Sequence, residues 1–215
     1  THCISSAASD VYKRQAYTYN TRNEVFSNAQ TGNVVLMSQN FMTGKWEAGL
    51  KYLFPLFAFA LGVLIAEQIQ HKYKYAKRLH WRQGILGAEI IILFIVGFIP
   101  QRGNMIATVL VSFACAMQVQ SFRKVNGFSY ASTMCIGNLR SGTAALSFYL
   151  RERRPEQLRQ AMYYLGIIVL FAIGAGIGGN LSANYGIHMI WVSCGLLIVS
   201  FLLMFLDIEA RRSRA

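Results

Sequence analysis

Five apolar runs set the pattern of this chain: residues 51–69, 85–100, 105–122, 162–179 and 187–206, each bounded by a polar connection. Runs of roughly 17–25 apolar residues match the hydrocarbon thickness of a bilayer when helical. Any one run alone would also fit a buried helix of a soluble protein. Five in a chain of 215 residues leave too little polar sequence to cover their surface in water. The expected fold is therefore all-α, a polytopic membrane helical bundle with five complete spans.

Composition agrees with the pattern. Charged residues make up 14% of the chain, against about 25% in soluble domains. The net charge of +12 is unevenly placed. Lys72, Lys74, Lys77, Arg78 and Arg82 crowd one connection. Arg123, Lys124, Arg140, Arg151, Arg153, Arg154 and Arg159 mark another, and Arg211, Arg212 and Arg214 close the chain. The connection at 100–104 holds only Arg102, and 179–186 holds no charge. This alternation is the positive-inside pattern. It predicts a cytoplasmic membrane protein of the bacterial inner membrane with a cytoplasmic C-terminus. The basic, aromatic stretch 71–83 also has the look of a nucleic-acid stripe, but its place between two spans argues for no nucleic-acid partner. Cys115, Cys135 and Cys194 lie in or beside apolar segments without paired spacing and read as small hydrophobes.

Residues 1–15, THCISSAASDVYKRQ, do not continue this pattern and contain no signal-peptide core. SSAASDVYKRQ resembles the translation of a transposase-type sequencing-library adapter. The reading is that 1–15 is adapter-derived, that the native chain is truncated near Ala16, and that an intact protein has six spans. His2, Cys3, Asp10, Lys13 and Arg14 are therefore expected to carry no function.

The polar stretch FSNAQTGNVVLMSQ (26–39) has an echo in YASTMCIGNLRSGTAAL (130–146), where Gly32-Asn33 recurs as Gly137-Asn138. Each pair follows the first helix of a triplet. Three helices per unit is an odd number, so two successive units lie in opposite orientations, a 3+3 inverted repeat of the kind common in secondary transporters. The first repeat covers 16–104 and the second 105–215. The second repeat carries RERRPEQLRQ as an insertion, and Pro155 with Glu156 and Gln157 there reads as a helix start.

AYTYNTRNEVFSNAQTGNVVL, FPLFAFALGVLIAE and MQVQSFRKVNGFSYASTMCIGNLRSGT together resemble the YoaK-type family, multi-pass membrane proteins of unknown function. The resemblance covers nearly all of 16–206 and implies about six transmembrane helices with no established activity. Two departures stand out. The family usually has Asp immediately before the AYTY-like segment, where this chain has Gln15, and Thr where this chain has Ile136.

Polar groups at membrane depth are costly unless buried in protein or facing water, which makes them candidates for function. Gln30, Thr31, Gly32 and Asn33 form one expected substrate or ion site, and Gly137, Asn138 and Arg140 its counterpart. The bland alternative is a pair of turns whose amides cap helix ends. Gln118 and Gln120 are expected between helices, where Gln118 joins the candidate site or serves as ordinary membrane glue. Glu67 and Glu89 are expected near cytoplasmic helix ends, paired with loop Lys and Arg; a proton-coupling carboxylate is the sharper reading. GAGIGG (174–179) matches G-x-G-x-x-G, but within a span its glycines fit close helix packing better than a dinucleotide loop. His71, His80 and His188 do not cluster, and no catalytic set stands out, so neither an enzyme nor a metal or cofactor is expected. The expected function is transport of a small molecule or ion, working as a homodimer in the bilayer. The alternative is a non-transporting membrane scaffold or stress-response accessory protein.

Overall fold

The computed structural model describes residues 2–73, 81–122, 124–125, 128–129 and 135–212, with side chains for 10–73, 81–122 and 135–205. Lys74, Lys77, Arg78, His80, Arg123 and Arg214 lie outside the described residues, as do positions 130–134 of the repeat echo. The described chain is an all-α bundle. Each expected apolar run is a helix: α3 (Trp46–Tyr73), α4 (Trp81–Val96), α5 (Asn104–Ser121), α7 (Pro155–Tyr185) and α8 (Ile190–Arg212). Ahead of them run α1 (His2–Thr21) and a short α2 (Gln30–Met42), and α6 (Cys135–Glu152) lies between α5 and α7. A minimal antiparallel hairpin, Lys124–Val125 with Phe128–Ser129, sits in the α5–α6 connection. α7 begins at Pro155 with Glu156 in its first turn, where the sequence places a start.

Among the described residues three stretches are long and apolar enough to cross a membrane: Trp46–Tyr73, Gln101–Ser121 and Pro155–Phe205. The last joins α7 and α8 through the 3-10 turn Gly186–Met189. With 16 residues, α4 is only about 24 Å long at 1.5 Å per residue.

Burial runs opposite to a soluble protein. On α3 the row Ala58, Gly62, Ala66 is buried, while Phe57, Leu61 and Leu64 are exposed. On α7 the buried row is Gly174, Gly178, Ser182. Lipid tails are as apolar as Leu, so large side chains gain nothing by facing inward, and small ones let backbones approach. Gly62 shows how closely. A Cβ there would stand 2.6 Å from the Phe113 carbonyl oxygen and 2.8 Å from the Ala116 Cβ on α5. In GAGIGG, Gly178 packs in the same way, an added Cβ there standing 2.6 Å from the Lys13 Cα of α1, while one at Gly176 meets nothing within 4 Å.

Replacing Gly62 by Val is expected to cost about 1–3 kcal/mol through overpacking. Melting of purified protein in detergent should drop by several degrees. Gly84→Ala, whose added Cβ meets nothing within 4 Å, is the control and should not lower it.

Helix directions follow from side-chain contacts. Arg14 reaches Glu89 and Arg22 reaches Val96 and Ile99, so α1 and α4 run parallel. Arg14 also meets Gln118 and Arg22 meets Asn104, so α5 runs the other way. Trp191 against Phe94 and Cys194 against Ile90 make α8 antiparallel to α4. The main core, which includes Leu86, Leu93, Val111, Cys115, Cys194 and Leu197, fills the space where α1, α4, α5 and α8 meet.

Candidate functional site

Asn33 stands in the first turn of α2 and is fully buried. Its carbonyl oxygen accepts from the Phe26 amide at 3.1 Å; its amide donates to the Phe26 carbonyl at 2.7 Å and to Gln30 Oε1 at 2.9 Å. The side chain therefore ties the 26–33 turn shut like a cross-strand pair. Gly32 lies under the Phe26 ring, where a Cβ would be 2.9 Å from two ring carbons. Thr31 is exposed and Gln30 half-buried, donating to the Ser27 carbonyl. In the second half Asn138 is buried on α6 in a row with Gly142 and Ala145 that faces α7. Gly137 is half-buried and Arg140 exposed. α2 packs on α3 and α6 on α7, so the two Gly-Asn sites lie on separate flanks of the bundle.

The buried polar groups gather elsewhere. Along one face of α5 run Asn104, Thr108, Ser112, Cys115 and Gln118, all buried. Spacings of four and three residues keep them in one stripe. Thr108 Oγ1 donates back to the Asn104 carbonyl at 2.7 Å, an ordinary satisfaction of a helix hydroxyl. Ser112 Oγ has no partner among the described residues, nor does Ser193 Oγ on α8. Ser27 lies against the Cys115 thiol, which brings the 26–33 turn to the middle of this stripe. The Asn28 side chain, buried beside it, is also without a partner among the described residues.

Glu89 completes the cluster. It is the ninth residue of α4's sixteen, fully buried halfway along the helix. The sequence expectation of a carboxylate near a helix end is corrected here. Eight residues separate it from the basic end of α4, and its burial faces α1 and α5. Glu89 Oε1 accepts from Arg14 Nη1 at 2.5 Å, while Arg14 Nη2 donates to Gln118 Oε1 and pairs with Asp10 at 2.9 Å. The other carboxylate oxygen has no partner among the described residues. Residue 14 belongs to the stretch that sequence sets apart. Its guanidinium lies between oxygens of α4 and α5. Glu67, near the end of α3, accepts from Gln120 on α5, which makes that pair interhelical glue; the loop cations expected to pair with it at 74, 77 and 78 lie outside the described residues.

At the opposite end Arg22 is fully buried without an ion pair among the described residues. It donates to the carbonyls of Val96, Ile99 and Pro100, to Asn104 Oδ1 and to the Tyr17 hydroxyl. The Val96 carbonyl lies at the negative end of the α4 dipole, and Ile99 and Pro100 add carbonyl oxygens from the connection to α5. Asn23 and Glu24, both left-handed, turn the chain immediately after it. An open depression lined by Tyr19, Asn20, Glu24, Gln101 and Ser182 lies over this end of the α5 stripe.

Sequence reasoning missed Arg22, Ser112 and Asn104, which carry no motif. The spacing of 104, 108, 112, 115 and 118 was the available sign. Among the described residues no three His, Cys, Asp or Glu side chains gather as a metal site would require.

Comparison with known proteins places these features. A family described as protein of unknown function (DUF1275) matches residues 15–203. The chain is 24% identical over 202 residues to the UPF0700 transmembrane protein YoaK of Bacillus subtilis (strain 168), covering 88% of this chain and 85% of that protein. No solved structure matches. Glu89, Gln118, Ser112, Arg22 and Asn33 all lie in the matched part; Arg14 does not.

Proposed function

This chain belongs to the DUF1275 family and is a multi-pass membrane protein; from that premise we propose that it transports a small molecule or ion through a 3+3 inverted repeat. The observation that carries the reading is an exchange symmetry in the packing. α1 lies on α7 and α8 as α5 lies on α3 and α4; α2 lies on α3 as α6 lies on α7; α4 and α8 pack on each other. Exchanging the first four helices for the last four leaves these neighbours unchanged, and α1 and α5 run in opposite directions. The small-residue rows fit the same exchange, with Gly62 of α3 against α5 and Gly178 of α7 against α1. Secondary transporters with such repeats hold their ligands near the midplane where the repeats meet, which here is the level of Glu89. A homodimer with cytoplasmic C-termini belongs to the same proposal.

The repeat makes a labelling prediction. Thr31 and Ile136 are exposed neighbours of Asn33 and Asn138. In a chain whose own cysteines are replaced by Ser, Thr31→Cys should react with a membrane-impermeant maleimide from one face only, and Ile136→Cys from the other. Reaction of both from the same face removes the inverted repeat. Lack of solute flux in proteoliposomes, with a stable partner recovered by cross-linking, would instead favour a scaffold.

A further inference from the structure

We propose that Glu89 and Gln118 are the walls of a buried site for one small monovalent cation, where α4, α5 and α8 meet. The first observation is the guanidinium between them. Arg14 gives one nitrogen to Glu89 Oε1 and another to Gln118 Oε1, so two oxygen acceptors from different helices converge on one positive group. The side chain that fills the place lies outside the family match, and both walls lie inside it.

The second observation is the surplus of unpartnered oxygen on α4, α5 and α8. Glu89 Oε2, the Ser112 hydroxyl and the Ser193 hydroxyl are buried and have no hydrogen-bond partner among the described residues. Ser112 lies two turns from Gln118 on the same face of α5, and Ser193 adjoins Cys194, which contacts Ile90 next to Glu89. Buried polar groups are nearly always satisfied, so the bare Glu89 oxygen, with orphaned hydroxyls on the two helices that pack against α4, points to an occupant. A proton alone would neutralise Glu89 but would leave the hydroxyls unmet.

Charge sets the class of ligand. Residues 15–203 supply one carboxylate to this place, and a buried carboxylate needs one compensating positive charge. Too few acidic, thiol or imidazole groups gather here for a divalent transition ion. The groups facing Glu89 are Arg14 and Asp10 from α1, Cys115 and Gln118 from α5, and Cys194 from α8. The cation's role as cargo or coupling ion rests on the transport reading; its binding does not.

The test empties the place and offers it small cations. In the full chain, Asp10→Asn with Arg14→Ala removes the guanidinium and leaves Glu89 as the charge. Melting in detergent is followed against NaCl, guanidinium at low millimolar concentration, and choline chloride at matched ionic strength. Sodium or guanidinium should raise the melting temperature with the logarithm of concentration, more at pH 8.5 than at pH 5.5 because protons compete. Choline should do nothing, and adding Glu89→Gln should abolish the rise. A flat response to both small cations, or a rise that survives Glu89→Gln, overturns the site. If the double variant does not survive extraction, Asp10→Asn with Arg14→Gln is read the same way. Cation-dependent stabilisation without flux in proteoliposomes would remove the transport reading and leave the site standing.

Discussion

Arg22→Met should be among the most damaging single substitutions in the matched part of the chain. The guanidinium donates to the carbonyl of Val96 at the end of α4, to those of Ile99 and Pro100 just beyond it, to Asn104 and to Tyr17, all from a fully buried position. Met fills much of the same volume and returns none of those hydrogen bonds. The expected loss is about 3–5 kcal/mol, the range for removing one partner of a buried charged cluster. It should appear as aggregation on extraction, or as a melting temperature lowered by ten degrees or more. Arg22→Lys keeps the charge but not the fork that spans Val96 and Asn104, so it should fall between the two. A near-native Arg22→Met protein would mean that water, not Arg22, satisfies the end of α4.

Asn33→Ala should be the second large effect, and it separates two roles for the Gly-Asn motif. Both polar atoms of Asn33 are committed to the backbone of Phe26, with Gln30 as a third partner. Truncation leaves the Phe26 amide and carbonyl unpaired at about 1–3 kcal/mol for each group that stays dry. Asn33→Asp keeps the acceptor for the Phe26 amide and loses the donor, so a turn clamp predicts partial rescue of melting temperature. If Asn33 instead contacts a transported solute, flux should vanish in Asn33→Ala while melting is unchanged. The geometry favours the clamp. Loss of transport in this variant should therefore track loss of folded protein.

Asn33 also shows how far the sequence could be read. Gly32-Asn33 stood out because polar residues interrupt an apolar pattern, and the structure does use them at a break between α1 and α2. Pattern alone cannot tell a side chain that closes a turn from one that faces a ligand, since both are polar residues in apolar company. Glu89 shows the converse. A carboxylate four residues into the apolar run 85–100 looks close to a headgroup when depth is counted along the chain. Only the packing of α1, α5 and α8 around it decides that it is sealed from water.

The periodicity and length of the apolar runs determined the helices, because a chain in lipid must satisfy its backbone within each segment. The clustering of Lys and Arg predicted their orientation, and small residues four apart marked the faces that touch. Which helix meets which was decided by tertiary structure alone. Without a water-driven preference for burying large side chains, α3 and α7 carry similar faces and no local pattern assigns α5 to one and α1 to the other. The polar stripe of α5 acquires its meaning the same way. Gln118 and Glu89, 29 positions apart, meet on Arg14, and Cys194 of α8 meets Ile90 from 104 positions away, through contacts that no sequence spacing encodes.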